Sequence, residues 1–177
     1  MNITVYCGSA DGNDAKYTAE ARKLGEWIAD NGHTLVYGAG RLGLMGAVSQ
    51  GVLDHGGKVI GVIPGFLATV EQMHPGLTQY YHVETMGERK AIMIELGEAF
   101  VALPGGPGTL EEIAEIISRV RLGLTDAPCI LFDQDGYYQP LRAMLDAMVA
   151  SGFYPQDRRD KVFFVQKPDE LLAALQP

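Results

Sequence analysis

Short apolar runs alternate with longer amphipathic stretches along the whole chain. Six of these runs carry almost no charge, which is typical of strands buried on both faces of a parallel sheet. They cover residues 3–7, 34–37, 58–63, 99–103, 128–132 and 162–165. Apolar residues at helical spacing between the runs predict helices, one of them over residues 86–96. The segment 66–81 shows neither pattern, so we expect it to be irregular, with at most one short helix.

The alternation of strands and helices predicts an α/β fold in which helices cover both faces of a parallel sheet. A length of 177 residues suits a single domain over residues 1–177. Three glycine-rich turns, which begin at Gly8, Gly38 and Gly105, directly follow predicted strands. Because ligands of such sheets bind beyond the carboxyl ends of the strands, we expect these turns to meet at one crevice.

The most informative turn covers residues 104–112, which read PGGPGTLEE and connect a buried strand to a helix. Glycine permits positive φ angles and a close approach of the backbone to a ligand, and a helix N-terminus favours an anion such as phosphate. The alternative is a strand-to-helix turn without a ligand. The three Gly, two Pro and one Thr in residues 104–109 exceed what such a turn needs, which favours the ligand site. A Walker loop is excluded because no Gly-Lys-Ser/Thr is present. We therefore predict a phosphate cradle, followed one turn later by the carboxylate of Glu112.

The second glycine turn matches the dinucleotide-binding pattern G-x-G-x-x-G at Gly38, Gly40 and Gly43. That pattern requires an acidic residue at the end of the next strand, where it would hold a ribose. The next strand ends at Ile63-Pro64 without an acid, so the pattern favours a tight turn that lines the crevice. Arg41 within this turn is a candidate for a position near an anion.

Two charged residues stand at the border of predicted apolar helix faces. Arg89 falls on the same side of its helix as Ile92 and Met93, so it either snorkels to the surface or is held by an anionic partner. Glu112 borders the apolar face of the next helix, whereas Glu111 and Glu115 point away and are expected to be solvated. Glu112 is therefore the better candidate for a site acid.

The composition of the chain argues against some classes of binding partner and indicates a cellular location. Hydrophobic residues make up 47% and charged residues 20%, and the net charge of −8 argues against a broad nucleic-acid-binding face. Two cysteines, Cys7 and Cys129, and four histidines give no disulfide framework and no metal-ligand spacing. The N-terminal residues lack the pattern of a signal peptide, and no apolar run is long enough to cross a bilayer. We expect a cytoplasmic protein.

These motifs together resemble the Lonely Guy family of cytokinin riboside 5′-monophosphate phosphoribohydrolases. The resemblance covers nearly the whole chain and is most specific where Arg89-Lys90 is combined with P-G-G-x-G-T-x-x-E over residues 104–112. It also includes VYCGS over residues 5–9, YGAGRLGLMG over residues 37–46 and DGYY over residues 135–138. Relatives often have G-G-G-S/N in the second turn, so Arg41 departs from the family pattern.

The resemblance implies a Rossmann-like, doubly wound fold and hydrolysis of a nucleoside 5′-monophosphate to free base and ribose 5-phosphate. It implies no cofactor or metal, and it implies a homodimer or larger homo-oligomer. Arg89 and Glu112 fall on the catalytic positions of the family. The implied substrate-binding positions are Gly8, Ser9, Gly43, Met45, Gly46, Glu71, Lys90, Gly105, Gly106, Gly108 and Thr109. The alternative is a non-catalytic carrier of the same fold that binds a nucleotide or molybdenum cofactor, and the preferred base, AMP or an N6-isoprenoid AMP, stays open.

Overall fold

In the computed structural model, which describes residues 1–68 and 72–175, seven strands form one parallel sheet. In chain order the strands are β1 (Asn2–Tyr6), β2 (Thr34–Tyr37), β3 (Lys58–Pro64), β4 (Gln79–Val83), β5 (Ala99–Ala102), β6 (Cys129–Phe132) and β7 (Val162–Val165). Their order across the sheet is β4-β3-β2-β1-β5-β6-β7, and every neighbouring pair is parallel. This confirms the predicted α/β class with a parallel sheet.

Helices cover both faces of the sheet. They are α1 (Ala15–Asp30), α2 (Gly43–Asp54), α3 (Gly65–Ala68), α4 (Met86–Leu96), α5 (Pro107–Leu122), α6 (Gln139–Ala150), α7 (Gln156–Arg159) and α8 (Pro168–Leu175), with a 3₁₀ turn at Gln134–Gly136. Apolar residues of α1, α2 and α8 form one core cluster against the sheet, and those of α4, α5 and α6 form a second cluster on the other face. The fold is therefore doubly wound. No helix in the described part of the chain is both long and apolar enough to cross a membrane.

The winding direction of the sheet reverses between β1 and β5. From β1 the chain moves outward to the edge strand β4, then returns to place β5 against the other side of β1 and moves outward again to β7. Backbone hydrogen bonds join the two loops at this point, with Leu103 donating to Tyr6 over 2.9 Å and Gly8 donating to Pro104 over 3.1 Å. A reversal of this kind opens a crevice beyond the strand ends, which is where α/β sheets bind ligands.

Helix α4 begins and ends at the residues that the sequence pattern predicts. Thr85 caps its N-terminus by accepting from the backbone of Glu88, and Glu88 accepts in return from the backbone of Thr85, which makes a complete capping box. The Thr4 hydroxyl on β1 donates to the carbonyl of Met93 over 3.0 Å, so α4 is also tied to the central strand. The helix is thus fixed both at its start and against the sheet.

One strand lies where the sequence predicts irregular structure. Strand β4 begins within the last residues of the segment 66–81 and ends two residues beyond it. It pairs with β3 at the edge of the sheet. Its residues read QYYHV and are mostly exposed, so β4 lacks the apolar run by which the other strands are recognised. The prediction of irregular structure is wrong here, because an edge strand of a parallel sheet can leave most of its side chains exposed while its backbone is paired.

Candidate active site

A cleft of about 250 Å³ opens at the carboxyl edge of the sheet, where the winding reverses. All three glycine turns reach it, through Gly8, Gly38 and Gly106, as the sequence predicts. The lining residues are Val5, Tyr6, Cys7, Gly8, Ser9, Gly38, Met45, Leu67, Met86, Arg89, Met93, Gly106, Pro107, Gly108, Thr109 and Glu112. A groove of about 370 Å³ adjoins the cleft and shares Gly8, Ser9 and Gly106 with it.

The N-terminus of α5 forms one wall of this cleft. Gly106 caps the helix, Pro107 occupies its first position, and the first intrahelical bond runs from Leu110 to the carbonyl of Gly106. The amides of Gly108 and Thr109 precede that bond, so they have no partner within the helix. Together with the helix dipole they favour an anion in the cleft.

The motif glycines are explained by close approach and not by unusual backbone angles. Positive φ angles occur at seven glycines of the described chain, but Gly105, Gly106 and Gly108 are not among them, so that part of the expectation is wrong. A Cβ on Gly105 would overlap the Thr109 hydroxyl and lie 2.8 Å from the amide nitrogen of Gly8. At Gly106 and Gly108 a Cβ would meet no atom within 4 Å, because the space beside them belongs to the cleft and its surroundings.

Arg89 is buried, with 5% of its surface exposed, and its side chain lines the cleft. Its Nε donates to the carbonyl of Val62 over 3.1 Å and its NH2 donates to the carbonyl of Gly38 over 2.8 Å. One carbonyl lies near the end of β3 and the other directly follows β2, so the carboxyl-end regions of these strands fix the guanidinium. A snorkelling arginine is therefore ruled out. A Cβ on Gly38 would overlap the guanidinium, which explains why the second turn needs glycine there.

Glu112 projects from the second turn of α5 into the same cleft and is half-buried. Beside it Tyr6, at the end of β1, is almost fully buried and stacks on Phe100 with ring centroids 6.5 Å apart. Burial first, and then the negative charge of Glu112, raise the pKa of Tyr6, so its phenol stays protonated at neutral pH. The cleft thus combines a fixed cation, a carboxylate and a hydroxyl donor.

Lys90 does not line the cleft. Its Nζ lies 2.8 Å from a carboxylate oxygen of Glu111 and 3.2 Å from one of Glu115. The hydrogen bond to Glu111 is the main cause of the raised pKa of Lys90. The expectation that Glu111 and Glu115 are simply solvated is therefore corrected, because both bind Lys90 across the two helices, although Glu111 is largely exposed.

Three other expected binding residues, Gly43, Gly46 and Gly105, do not line the cleft, although Gly105 lines the adjoining groove. Gly43 has a φ of 61° and packs against the backbone of Ser9 and the following residue, and Gly46 packs against the carbonyl of Arg41. Gly105 lies under Thr109, as described above. Glu71 lies outside the described residues. The remaining expected residues, which are Gly8, Ser9, Met45, Gly106, Gly108 and Thr109, line the cleft together with Arg89 and Glu112.

Several residues of the site are not among the predicted binding residues, although some lie in the family motifs. Tyr6 ends β1 and Cys7 connects it to Gly8, so both line the cleft, as the strand-end rule would have indicated. Tyr137 donates a hydrogen bond to the carbonyl of Gly105, and Tyr138 donates to Leu103 over 2.7 Å, so both support the main turn from behind. Arg41 is exposed and binds the side-chain oxygen of Gln72, so it is outside the cleft. Residues 1–68 and 72–175 contain no cluster of His, Cys, Asp and Glu that would hold a metal ion.

Comparison with known proteins finds relatives that match nearly the whole length of this chain. The sequence profile of a family described as "possible lysine decarboxylase" matches residues 45–175. The cytokinin riboside 5′-monophosphate phosphoribohydrolase of Rhodococcoides fascians is 42% identical over 175 residues, which is 98% of this chain and 88% of that protein. The phosphoribohydrolase LOG of Oryza sativa subsp. japonica is also 42% identical, over 98% of this chain and 72% of that protein.

Solved structures with the same fold include molybdenum cofactor proteins. The carrier protein from Chlamydomonas reinhardtii superimposes with a TM-score of 0.75 at 22% identity, over 98% of this chain and 94% of that one. The molybdenum cofactor binding protein of Rippkaea orientalis gives a TM-score of 0.73 at 22% identity, over 97% and 93% of the two chains. At that identity the likeness shows the fold alone. The full-length matches at 42% identity show more: the chain belongs to the Lonely Guy family of cytokinin riboside 5′-monophosphate phosphoribohydrolases.

Proposed function

We propose that this protein hydrolyses the N-glycosidic bond of a nucleoside 5′-monophosphate and releases the free base and ribose 5-phosphate. The substrate is AMP or an N6-modified AMP of the cytokinin riboside 5′-monophosphate class. The observation that carries the proposal is that Arg89, Glu112 and the N-terminus of α5 line one cleft. Relatives named for this activity, at 42% identity over nearly the whole chain, support it.

The phosphate is held by the amides at the start of α5, in the space beside Gly106 and Gly108. The protein has a net charge of −8, so its overall field repels an anionic substrate. Attraction therefore has to come from nearby groups, which are the α5 N-terminus and the fixed guanidinium of Arg89. A substrate that lacks the phosphate loses these contacts.

Cleavage of an N-glycosidic bond passes through a state in which positive charge develops on the ribose, as in other glycoside hydrolyses. The carboxylate of Glu112 stabilises that charge, and it orients or deprotonates the attacking water. Arg89 is permanently charged and acts as a fixed electrostatic group near the phosphate and Glu112. The charge to be stabilised is positive, so the reaction requires no metal.

The family description also names lysine decarboxylation, and the site gives that activity no support. Amine decarboxylases that use pyridoxal phosphate need a lysine to hold the cofactor. Among the described residues that line the cleft there is no lysine, and the nearby Lys90 is paired with Glu111 and Glu115. A carrier function is likewise supported only by likeness of fold.

The assembly and location are further parts of the proposal. We propose a single domain over residues 1–177 that acts in the cytoplasm as a homodimer or larger homo-oligomer. Support for assembly comes from α4, where Ile92, Ile94 and Leu96 are only half-buried, and from Phe66, which is 61% exposed. Apolar surface of this kind is typical of protein interfaces when it is contiguous.

The proposal is tested with a panel of AMP, N6-isopentenyl-AMP, other nucleoside 5′-monophosphates and adenosine. Released base and ribose 5-phosphate are measured by chromatography. We expect monophosphates to be hydrolysed, with kcat/KM for adenosine at least ~10²-fold lower than for AMP, since the phosphate supplies binding energy in the transition state. Equal hydrolysis of AMP and adenosine would contradict the phosphate cradle. No base release from any monophosphate would overturn the function itself.

A further inference from the structure

An ion-pair cluster connects α4 to α5 beside the cleft. Its centre is the Nζ of Lys90 on α4, which contacts the carboxylates of Glu111 at 2.8 Å and Glu115 at 3.2 Å on α5. Glu115 also lies 3.5 Å from the guanidinium of Arg119, one turn further along α5. The side chain of Lys90 is only 18% exposed, so the centre of the cluster is largely shielded from solvent.

Each half of the central pair is the chain neighbour of a proposed catalytic residue. Lys90 directly follows Arg89, and Glu111 directly precedes Glu112. Successive residues of a helix point about 100° apart. A contact that holds Lys90 against Glu111 therefore also fixes the rotation of α4 and α5 about their own axes. That rotation determines how Arg89 and Glu112 point into the cleft.

We propose that Lys90 is a positioning residue, which clamps α4 to α5 through Glu111 and Glu115 and thereby aligns Arg89 with Glu112. This inference rests on the proposed function and departs from the substrate-binding role that the family resemblance implies for Lys90. Its ammonium faces the carboxylates of α5 and is not among the groups that line the cleft. Glu111 and Glu115 thereby acquire a role that their exposure alone does not indicate.

The clamp acts through geometry more than through stability. Ion pairs whose carboxylates reach solvent, as that of Glu111 does, contribute little to folding. Displacement of a catalytic group by about 1 Å, in contrast, lowers a rate by up to about 10²-fold. Loss of the clamp is therefore expected to change turnover while the fold and the phosphate cradle persist.

The experiment compares four variants of the full chain with the wild type, using the nucleoside 5′-monophosphate that it hydrolyses best. They are Lys90→Met, Lys90→Arg, the double variant Glu111→Gln/Glu115→Gln, and the triple variant that combines the double with Lys90→Met. Lys161→Met is the matched control, because Lys161 forms a pair of equal length, 2.8 Å, with Asp126 and neither residue lines the cleft. The kinetic constants and the melting temperature are measured for each.

We expect Lys90→Met and the double variant each to lower kcat about 10-fold, with KM changed less than about twofold. The triple variant falls no further, because all these changes remove one shared interaction. Lys90→Arg keeps a positive charge that can bind both carboxylates, so we expect kcat to stay within about twofold of the wild type. The control keeps both kcat and KM, which separates the loss of an ion pair as such from the loss of the clamp.

A different pattern overturns the clamp. If Lys90→Met raises KM while the double variant behaves like the wild type, Lys90 binds the substrate directly. If the losses of the triple variant add, the groups act independently. Crystal structures of the wild type and Lys90→Met give a readout that does not require activity. We expect the carboxylate of Glu112 to move by about 1 Å relative to Arg89, and unchanged positions would contradict the clamp. A wild type that releases no base defeats the proposed function, whereas these structures still decide the clamp.

Discussion

At the scale of single residues, the glycines of this site serve two different purposes. Gly38 leaves room for the guanidinium of Arg89, and Gly105 leaves room for the hydroxyl of Thr109. A Cβ on Gly106 or Gly108 would meet no protein atom, so the space beside these two glycines is available to a ligand. The same residue type therefore supports the fold at two positions and ligand approach at two others.

Substitution of Gly108 separates these purposes. Gly108→Ala adds a methyl group at the second position of α5 without a clash, so stability should stay equal or rise by up to ~1 kcal/mol. The methyl group narrows the phosphate space, so we expect KM for the monophosphate to rise about 10-fold. Gly87→Ala is the control, because Gly87 occupies the same position of α4 outside the cleft lining. Unchanged KM for Gly108→Ala would place the phosphate elsewhere.

Glu112 provides the sharpest test of the chemistry. Glu112→Gln keeps the size and hydrogen bonding of the side chain but removes the charge, so we expect kcat to fall at least ~10²-fold while AMP still binds. Turnover is measured by base release and binding by calorimetry. Glu95→Gln on the exposed side of α4 serves as the control and should retain full activity.

Two results would contradict the carboxylate mechanism. One is full activity of Glu112→Gln. The other is loss of wild-type activity in EDTA, because stabilisation of a positive charge by a carboxylate does not involve a bound metal. We expect EDTA to leave turnover unchanged.

At the scale of elements, the capping box places Arg89 by fixing where α4 begins. Thr85→Ala removes the side-chain cap and should lower the free energy of unfolding by about 1 kcal/mol, with the slope of a urea titration unchanged. Thr18→Ala is the control, because the Thr18 hydroxyl only bonds back to Ala15 on the exposed surface of α1. A Thr85→Ala protein as stable as Thr18→Ala would show that α4 is held by the sheet alone.

The elements also show what the sequence can and cannot predict. Helix α4 was predictable to the residue because its cap and its apolar spacing agree, and the meeting of three glycine turns followed from the rule for parallel sheets. Strand β4 was not predictable from an apolar run, because its pairing is made by the backbone and most of its side chains stay exposed. The Lys90 cluster was missed because a helical wheel shows which side a residue faces, but not which helix lies beside it.

At the scale of the whole molecule, we predict at least a homodimer. The chain exposes large apolar side chains that a monomer would leave in water, among them Phe66 at 61% and Phe153 at 76%. Light scattering at micromolar concentration should give at least twice the 19.2 kDa mass of the chain. A monomer mass under these conditions would be evidence against assembly. Phe66→Ser and Phe153→Ser, made separately, would show which surface is covered.

The pairing of β1 with β5 also has a consequence for how the chain is made. Residue 6 pairs with residue 102. Almost a hundred further residues must therefore be synthesised before β1 can pair with β5, its second neighbour. Until β5 has been synthesised, the side of β1 that will pair with it is an unpaired strand edge. Unpaired edges in incomplete chains are prone to form wrong pairs. Glu112 and the start of α5 line the cleft, so a chain that ends before them lacks this wall of the site. A bound nucleotide therefore stabilises only chains that the ribosome has carried beyond this point and gives no protection to the earlier ones.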